Sequence, residues 1–596
     1  MKKNTLRRLA ALTLCAVLMT TACASRAKKP ESSAPETAKT SETEESLTFD
    51  EFTDKLFKET ISTDVLTLHY ALKNPDAYGI EDVPLSLGDI ETEFDQASHD
   101  EMAAEYQQLL SYEDTGLTED QFLTFDILDK YMSMLLTYDT EELFYYQEPF
   151  AGLSGLQTQL PLVLSEYTLR SAQDVEDYLV LLEDVPRYIN DALTFEQKKS
   201  EAGLFMSDES ADEVIKTCRE WLDDPDGISL ISIFPDKVAG VPGLTQDQIT
   251  DFTARNETAV RECVVPAYEK VIETFTALKG TGTNPLGIGA FEHGDTYYES
   301  LIRMQTGTDM TAEELDDYIE DAIETLYGEL FTLIQANPAL YDQMDQAPEV
   351  PYDSPEDMLN ALTTAIEDEF PPAVSKNYTI NYVPASMEES MNPAFYMLPP
   401  MDDKDQNVIY INKGQIGDDL SLFTTLAHEG YPGHLYQQSW FISHDPVPIR
   451  TQLNFLGYVE GWASYVEALA NHYVGMEEDL AEAWRINTEL TLCLYLQMDL
   501  GIHTKDWTEE DLADFLSEYG IGDEETAHEI FRTIVTDPAS YLPYGIGELE
   551  IRSMRAEAEE TLGDAFDPVA FHTFLLDIGP CQFDIIRDYF EDFLKQ

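Results

Sequence analysis

Positive charge is scarce in this chain. Its 596 residues include 35 Lys and Arg against 115 Asp and Glu, a formal net charge of −80. So one-sided a surface repels nucleic-acid phosphates and disfavours anionic lipid, so neither is expected as a partner. The acidic surface serves solubility first, although capture of cations is compatible with it. Cysteine is scarce too: beyond residue 23 the chain has only Cys218, Cys263, Cys493 and Cys581, far apart and without C-x-x-C spacing. That pattern indicates no disulfide framework, and a body of this size needs none. Strand signals are few, and no fixed-period repeat is present. With 43% apolar residues the chain can still build a large core, or two or three ordinary domains.

The longest apolar run lies at the N-terminus. "MKKNTLRR" supplies four positive charges and "LAALTLCAVLMTTA" a stretch too short to span a bilayer. Together they predict a secretory signal peptide over residues 1–22. "TTAC" follows and resembles a bacterial lipoprotein box ending at Cys23, with Thr20 where that pattern prefers leucine. A lipid on Cys23 would tether the protein outside the membrane, touching it only through that anchor. The alternative is an ordinary signal peptide. Cleavage removes the four basic residues, which takes the charge to −80 − 4 = −84. Residues 23–46 are polar and rich in Ser, Thr, Pro and Glu, as expected of a disordered tether.

The folded body is expected to start near Leu47 and to be mainly α. "TAEELDDYIEDAIETLYGELFTLIQ" and "SPEDMLNALTTAIEDEF" have apolar residues three and four apart, after Thr311 and Ser354 as N-caps. "DQFLTFDILDKYMSMLLTY" and "SAQDVEDYLVLLEDVPRYINDAL" read the same way. Three short extended runs, "YTINYVPAS", "AFYMLPP" and "NVIYIN", predict a small sheet just before the segment with the chemistry. A Gly- and Pro-bearing stretch around residues 279–294 separates an N-terminal helical part (47–280) from the remainder (281–596).

The chemistry lies in "LAHEGYPGHLYQ", residues 426–437. A catalytic zinc site takes three protein ligands, leaves a position open, and needs a carboxylate near its water. In H-E-x-x-H two histidines four apart share a helix face. Here His428 and Glu429 keep the first half of that pattern, but His434 comes six residues on. On a continuous helix the two imidazoles would point well apart. Pro432 and Gly433 predict a kink or local unwinding that swings His434 back beside His428. A third ligand is expected from "YVEGWASYVEALANHY", a helix with Val459, Ala463, Val466 and Ala470 on one stripe. Its Glu460 and Glu467 are seven apart and share a side. Carboxylates in so apolar a segment need a partner or a metal. Glu460 is the preferred ligand, and Glu467 the group that orients a histidine or pairs with Arg or Lys.

Several blocks in order resemble a large bacterial family long labelled a domain of unknown function and grouped with gluzincin-type zinc metallopeptidases. They are "HEGYPGH", "VEGWASYVE", "GDTYYESLIRMQTGTDMTAEEL", "PYGIGELEIRSMR" and "FHTFLLDIGPCQFDII", running from about residue 294 to residue 586. The resemblance implies a mostly helical body with its site in a deep cleft, and a metallopeptidase-like catalytic part over 281–596. His428, His434 and Glu460 would hold one Zn²⁺, Glu429 would be the general base, and Tyr544 would stabilise the oxyanion. Leu435 stands where many members have a further histidine. A peptide substrate follows, with short-peptide carboxypeptidase or oligopeptidase activity. Candidate substrate contacts are Tyr298, Tyr396 and one of Arg555, Arg303 or Arg450, and "NPAFYMLPP" is a strand to which a peptide backbone would add. The competing readings are a peptide- or cation-binding lipoprotein without activity and a zinc hydrolase of a non-peptide amide or ester.

Overall fold

A computed structural model describes residues 47–595 except 114, 153–154, 226, 283, 285, 345–346, 384–387, 389–390 and 522–523. The signal peptide, Cys23 and the tether expected before Leu47 lie outside the described residues. The body is mainly helical with one small sheet. Helix starts follow local chemistry: Thr311 and Ser171 each form a capping box with the residue three positions on, opening helices Ala312–Ala336 and Ala172–Glu201. Ser354 accepts the Asp357 N–H and opens Pro355–Ala365.

One apolar core is built wholly from residues 65–278, including Phe150, Tyr178, Val185, Val214 and Tyr268. Four other clusters join residues from both sides of position 280. Polar links cross it too: Tyr410 donates to Glu166, and Lys130 reaches Asp584 at 2.5 Å.

Six helices position the candidate site: α1 (Gly294–Thr306), α2 (Asp419–Glu429), α3 (His434–Ser443), α4 (Leu456–Tyr473), α5 (Glu478–Thr504) and α6 (Leu542–Leu562). The sheet comprises β1 (Thr379–Tyr382), β2 (Ala394–Met397) and β3 (Val408–Ile411), in the order β1-β3-β2. β1 runs parallel to β3, β2 antiparallel to it. The three extended runs seen in the sequence are thus the strands, and β2 is an edge facing α2.

Helices α4 and α6 pack close together, and glycine permits it. A Cβ on Gly461 would sit 2.3 Å from the Gly547 Cα, and one on Gly547 would sit 1.9 Å from the Gly457 carbonyl oxygen. No side chain fits there, so the two backbones touch. Among the described residues no helix is long and apolar enough to cross a membrane.

Candidate metal centre

The helix is interrupted between His428 and His434, within the kink or local unwinding that Pro432 and Gly433 predict. α2 ends at Glu429 and α3 starts at His434, with a cis Tyr431–Pro432 bond between. The break is nevertheless hydrogen-bonded: Gly433 N–H donates to the Ala427 carbonyl at 2.9 Å, and Tyr436 N–H to the Gly430 carbonyl at 3.2 Å. Gly433 is obligatory, because a Cβ there would lie 1.8 Å from the His428 carbonyl oxygen. From α4, the Trp462 indole N–H donates to the Pro432 carbonyl at 2.8 Å and holds the loop in place.

This arrangement turns the imidazoles toward each other, ring centroids 4.7 Å apart and nearly perpendicular. Glu460 comes from α4. Its Oε2 lies 3.4 Å from His428 Nε2 and 3.4 Å from His434 Nε2. His428, His434 and Glu460 are the one group among the described residues whose donor atoms converge closely enough to hold a metal ion. All three are buried; Glu460 is 0% exposed. His434 Nε2 and both Glu460 oxygens have no hydrogen-bond partner, a costly state for buried polar atoms. A spacing of 3.4 Å is long for a charge-assisted hydrogen bond, which prefers about 2.7–2.9 Å. It matches donor atoms sharing one tetrahedral ion, where bonds of about 2.0–2.1 Å put neighbouring donors about 3.3 Å apart.

His428 Nδ1 faces Glu467 Oε2 at 3.0 Å, so Glu467 fixes the tautomer that leaves Nε2 free to ligate. Burial works to strip a proton from His428, but the carboxylates of Glu460 and Glu467 outweigh it and hold its affinity for a proton well above the usual. Burial likewise disfavours the Glu460 carboxylate, and the imidazoles of His434 and His428 reverse that, pulling it down to about 2. The two acids thus favour positive charge on the imidazoles.

Glu429 is 2% exposed, and its Oε2 accepts the backbone N–H of Tyr396 on β2 at 2.8 Å. Sequence reasoning missed this anchor, because a main-chain donor carries no residue-type signal. Tyr396 thus meets the site through its amide; its phenol donates to Asn407 at 2.6 Å inside the core. That edge amide of β2 is already engaged, which bears on the idea of a substrate strand adding there. Tyr544, in the first turn of α6, places its ring 6.3 Å from the His428 ring at a 20° angle.

The remaining candidates are held elsewhere. Tyr298 is fully buried, and its hydroxyl donates to Asp499. Arg303 donates to Asp309 at 3.1 Å, and Arg555 to the Tyr465 hydroxyl at 2.7 Å and to Glu559 at 3.0 Å. Arg450 is buried and donates to the Ile578 carbonyl at 2.5 Å, closing the end of a helix. The structure brings none of these four against the His–His–Glu group.

Two solved structures share this fold. A protein provisionally described as a lipoprotein, from Colwellia psychrerythraea, superposes with a TM-score of 0.74 at 22% identity, over 92% of this chain and 98% of its own. Another from Shewanella oneidensis, provisionally described as a lipoprotein of unknown function, gives a TM-score of 0.60 at 18% identity, over 91% and 99%. A comparison with curated proteins finds no match. The profile of the family described as "Bacterial protein of unknown function (DUF885)" matches residues 77–589, nearly the whole described body, and the chain belongs to that family.

Proposed function

We propose that this protein is a zinc-dependent peptidase of the gluzincin type that hydrolyses short peptides, carried outside the bacterial membrane on a lipid at Cys23. The observation that carries the reading is the donor triangle: His428 Nε2 and His434 Nε2 each lie 3.4 Å from Glu460 Oε2, all three side chains are buried, and His434 Nε2 and both Glu460 oxygens have no hydrogen bond. Two imidazoles and a carboxylate are a common donor set for a catalytic zinc, and three protein ligands leave a position for substrate or water. When bound, zinc would supply Lewis acidity toward a carbonyl and toward water.

The chain's own groups do the rest. Glu429, next to the first ligand and steadied by the Tyr396 amide, takes a proton from the attacking water and returns it to the leaving amine. Tyr544, beside His428, offers a hydroxyl to the oxygen on which negative charge develops. Glu467 keeps His428 oriented through Nδ1. A secreted location accords with the N-terminal segment and with the lipoprotein descriptions of the two fold relatives.

The test joins metal analysis to a peptide-library assay read by mass spectrometry. One zinc per chain in the wild type, none in His434→Ala, and hydrolysis lost by about 100-fold or more in zinc-loaded Glu429→Gln support the reading. Zinc without peptide hydrolysis, but with turnover of a non-peptide amide or ester, would reassign the substrate. Absence of stoichiometric metal would leave a binding lipoprotein.

A further inference from the structure

We propose that Tyr298 and Asp499 act as a positioning clamp that fixes the start of α6, and through it Tyr544; this rests on the reading of Tyr544 as the oxyanion donor. Asp499, on α5, is fully buried. Both its oxygens accept the backbone N–H of Ala539, at 3.2 Å and 3.0 Å, and one also accepts the Tyr298 hydroxyl from α1. Ala539 has φ +62°, in the left-handed region that alanine disfavours. Such a conformation persists only where surrounding contacts impose it, and the bidentate carboxylate is such a contact.

Ala539 lies five residues before Tyr544, and its carbonyl accepts the N–H of Leu542, the first residue of α6, at 3.2 Å. The clamp therefore sets where the helix begins and along which line it leaves. α5 supports the same turn at three further points. The Tyr495 ring stacks on Tyr541 with centroids 4.6 Å apart. A Cβ on Gly545 would lie 2.6 Å from Leu496 Cδ1 and 3.1 Å from Leu492 Cγ. Residues 492, 495, 496 and 499 share one face of α5, so the bed is continuous. On the far side, Gly547 lies against α4. The first two turns of α6 lie between two helices, and Asp499 is the polar end of that grip. His503, one turn past Asp499, holds Tyr298 from behind, with ring centroids 5.2 Å apart. His503 is itself locked, accepting the Ile288 N–H at 3.0 Å and donating to the Ile534 carbonyl at 3.0 Å.

Tyr298 thus acts on the candidate site indirectly, through a carboxylate and a backbone amide. The decisive variant is Tyr298→Phe, which removes one hydroxyl and keeps the ring. Amide hydrogen exchange by mass spectrometry is expected to show residues 537–545 opening about 10-fold faster, with α2 and α4 unchanged. Zinc content stays at wild-type level. With a peptide substrate, kcat falls about 10-fold while KM moves less than about 2-fold. In a Tyr544→Phe background the same change lowers kcat by less than about 2-fold, because the two act as one unit. Ala539→Gly, which accepts the left-handed conformation freely, restores part of the activity of Tyr298→Phe. Unchanged exchange over 537–545, or a fully multiplicative loss with Tyr544→Phe, overturns the clamp. If the wild type cleaves no peptide, the exchange result decides alone: faster opening then upholds the clamp while the peptidase reading falls.

Discussion

His428 Nδ1 lies 3.0 Å from Oε2 of Glu467, seven residues along the same helix from the candidate ligand Glu460. One helix therefore supplies both a candidate ligand and the group that orients a second candidate ligand. Replacing Glu467 with Ala frees the His428 ring to turn without deleting a ligand. Zinc affinity should fall about 10- to 100-fold while saturation still reaches one ion per chain. Titration against a competing chelator measures this, and an unchanged affinity would mean that Glu467 only fills space.

Acid should expel the ion. The carboxylates around His428 raise its affinity for protons, so proton and metal compete for the same lone pair. Zinc retention in equilibrium dialysis should be complete at mildly alkaline pH and decline steadily on acidification, with protons released on binding. His434→Ala should leave no stoichiometric zinc at any pH.

Glu548, one turn beyond Tyr544, offers a test on stability. Burial pushes its carboxyl up to about 8, with Glu467 adding to the rise and Arg485 opposing it. Unfolded, the group titrates near 4.5. Between those values the folded state holds a proton that the unfolded chain has lost, so stability falls as pH rises and levels off above about 8. Glu548→Gln removes that slope, up to about 1.4 kcal/mol per pH unit. The melting temperature of the variant relative to wild type should therefore climb between pH 5 and pH 8. An equal difference at both values would show that Glu548 titrates normally.

Gly461→Ala tests the helix contact. The added methyl would meet Gly547 backbone at 2.3 Å, where nothing flexible can yield. A loss of about 1–3 kcal/mol or more is expected, read as a lowered melting temperature. Because Glu460 is the adjacent residue, zinc affinity should drop along with it.

Much of this site was legible because residue type and spacing carried it. The Pro–Gly pair announced that His428 and His434 do not share a straight helix, and the two acids in an apolar helix announced a buried partner. The helix N-caps at Thr311 and Ser354 were equally plain. What stayed hidden depends on the main chain or on distance in sequence. The Tyr396 amide that anchors Glu429 would look the same from any non-proline residue. Tyr298 stood out in its block, yet its partner Asp499 lies 201 positions away and no periodicity joins them. Gly457, Gly461 and Gly547 carry no signal of their neighbours in the sequence, and only the fold reveals them as the surface on which two backbones rest.

The four residues linking α2 to α3 carry one more implication. Besides the loop's own hydrogen bonds from Gly433 to Ala427 and from Tyr436 to Gly430, Trp462 steadies the linker by holding the Pro432 carbonyl, and Trp462 sits two positions from Glu460. A single helix thus carries the third candidate donor and also braces the linker between the other two. Any slide of that helix spreads all three corners of the triangle together, so the ion should be retained or released in one step, with no half-coordinated stage.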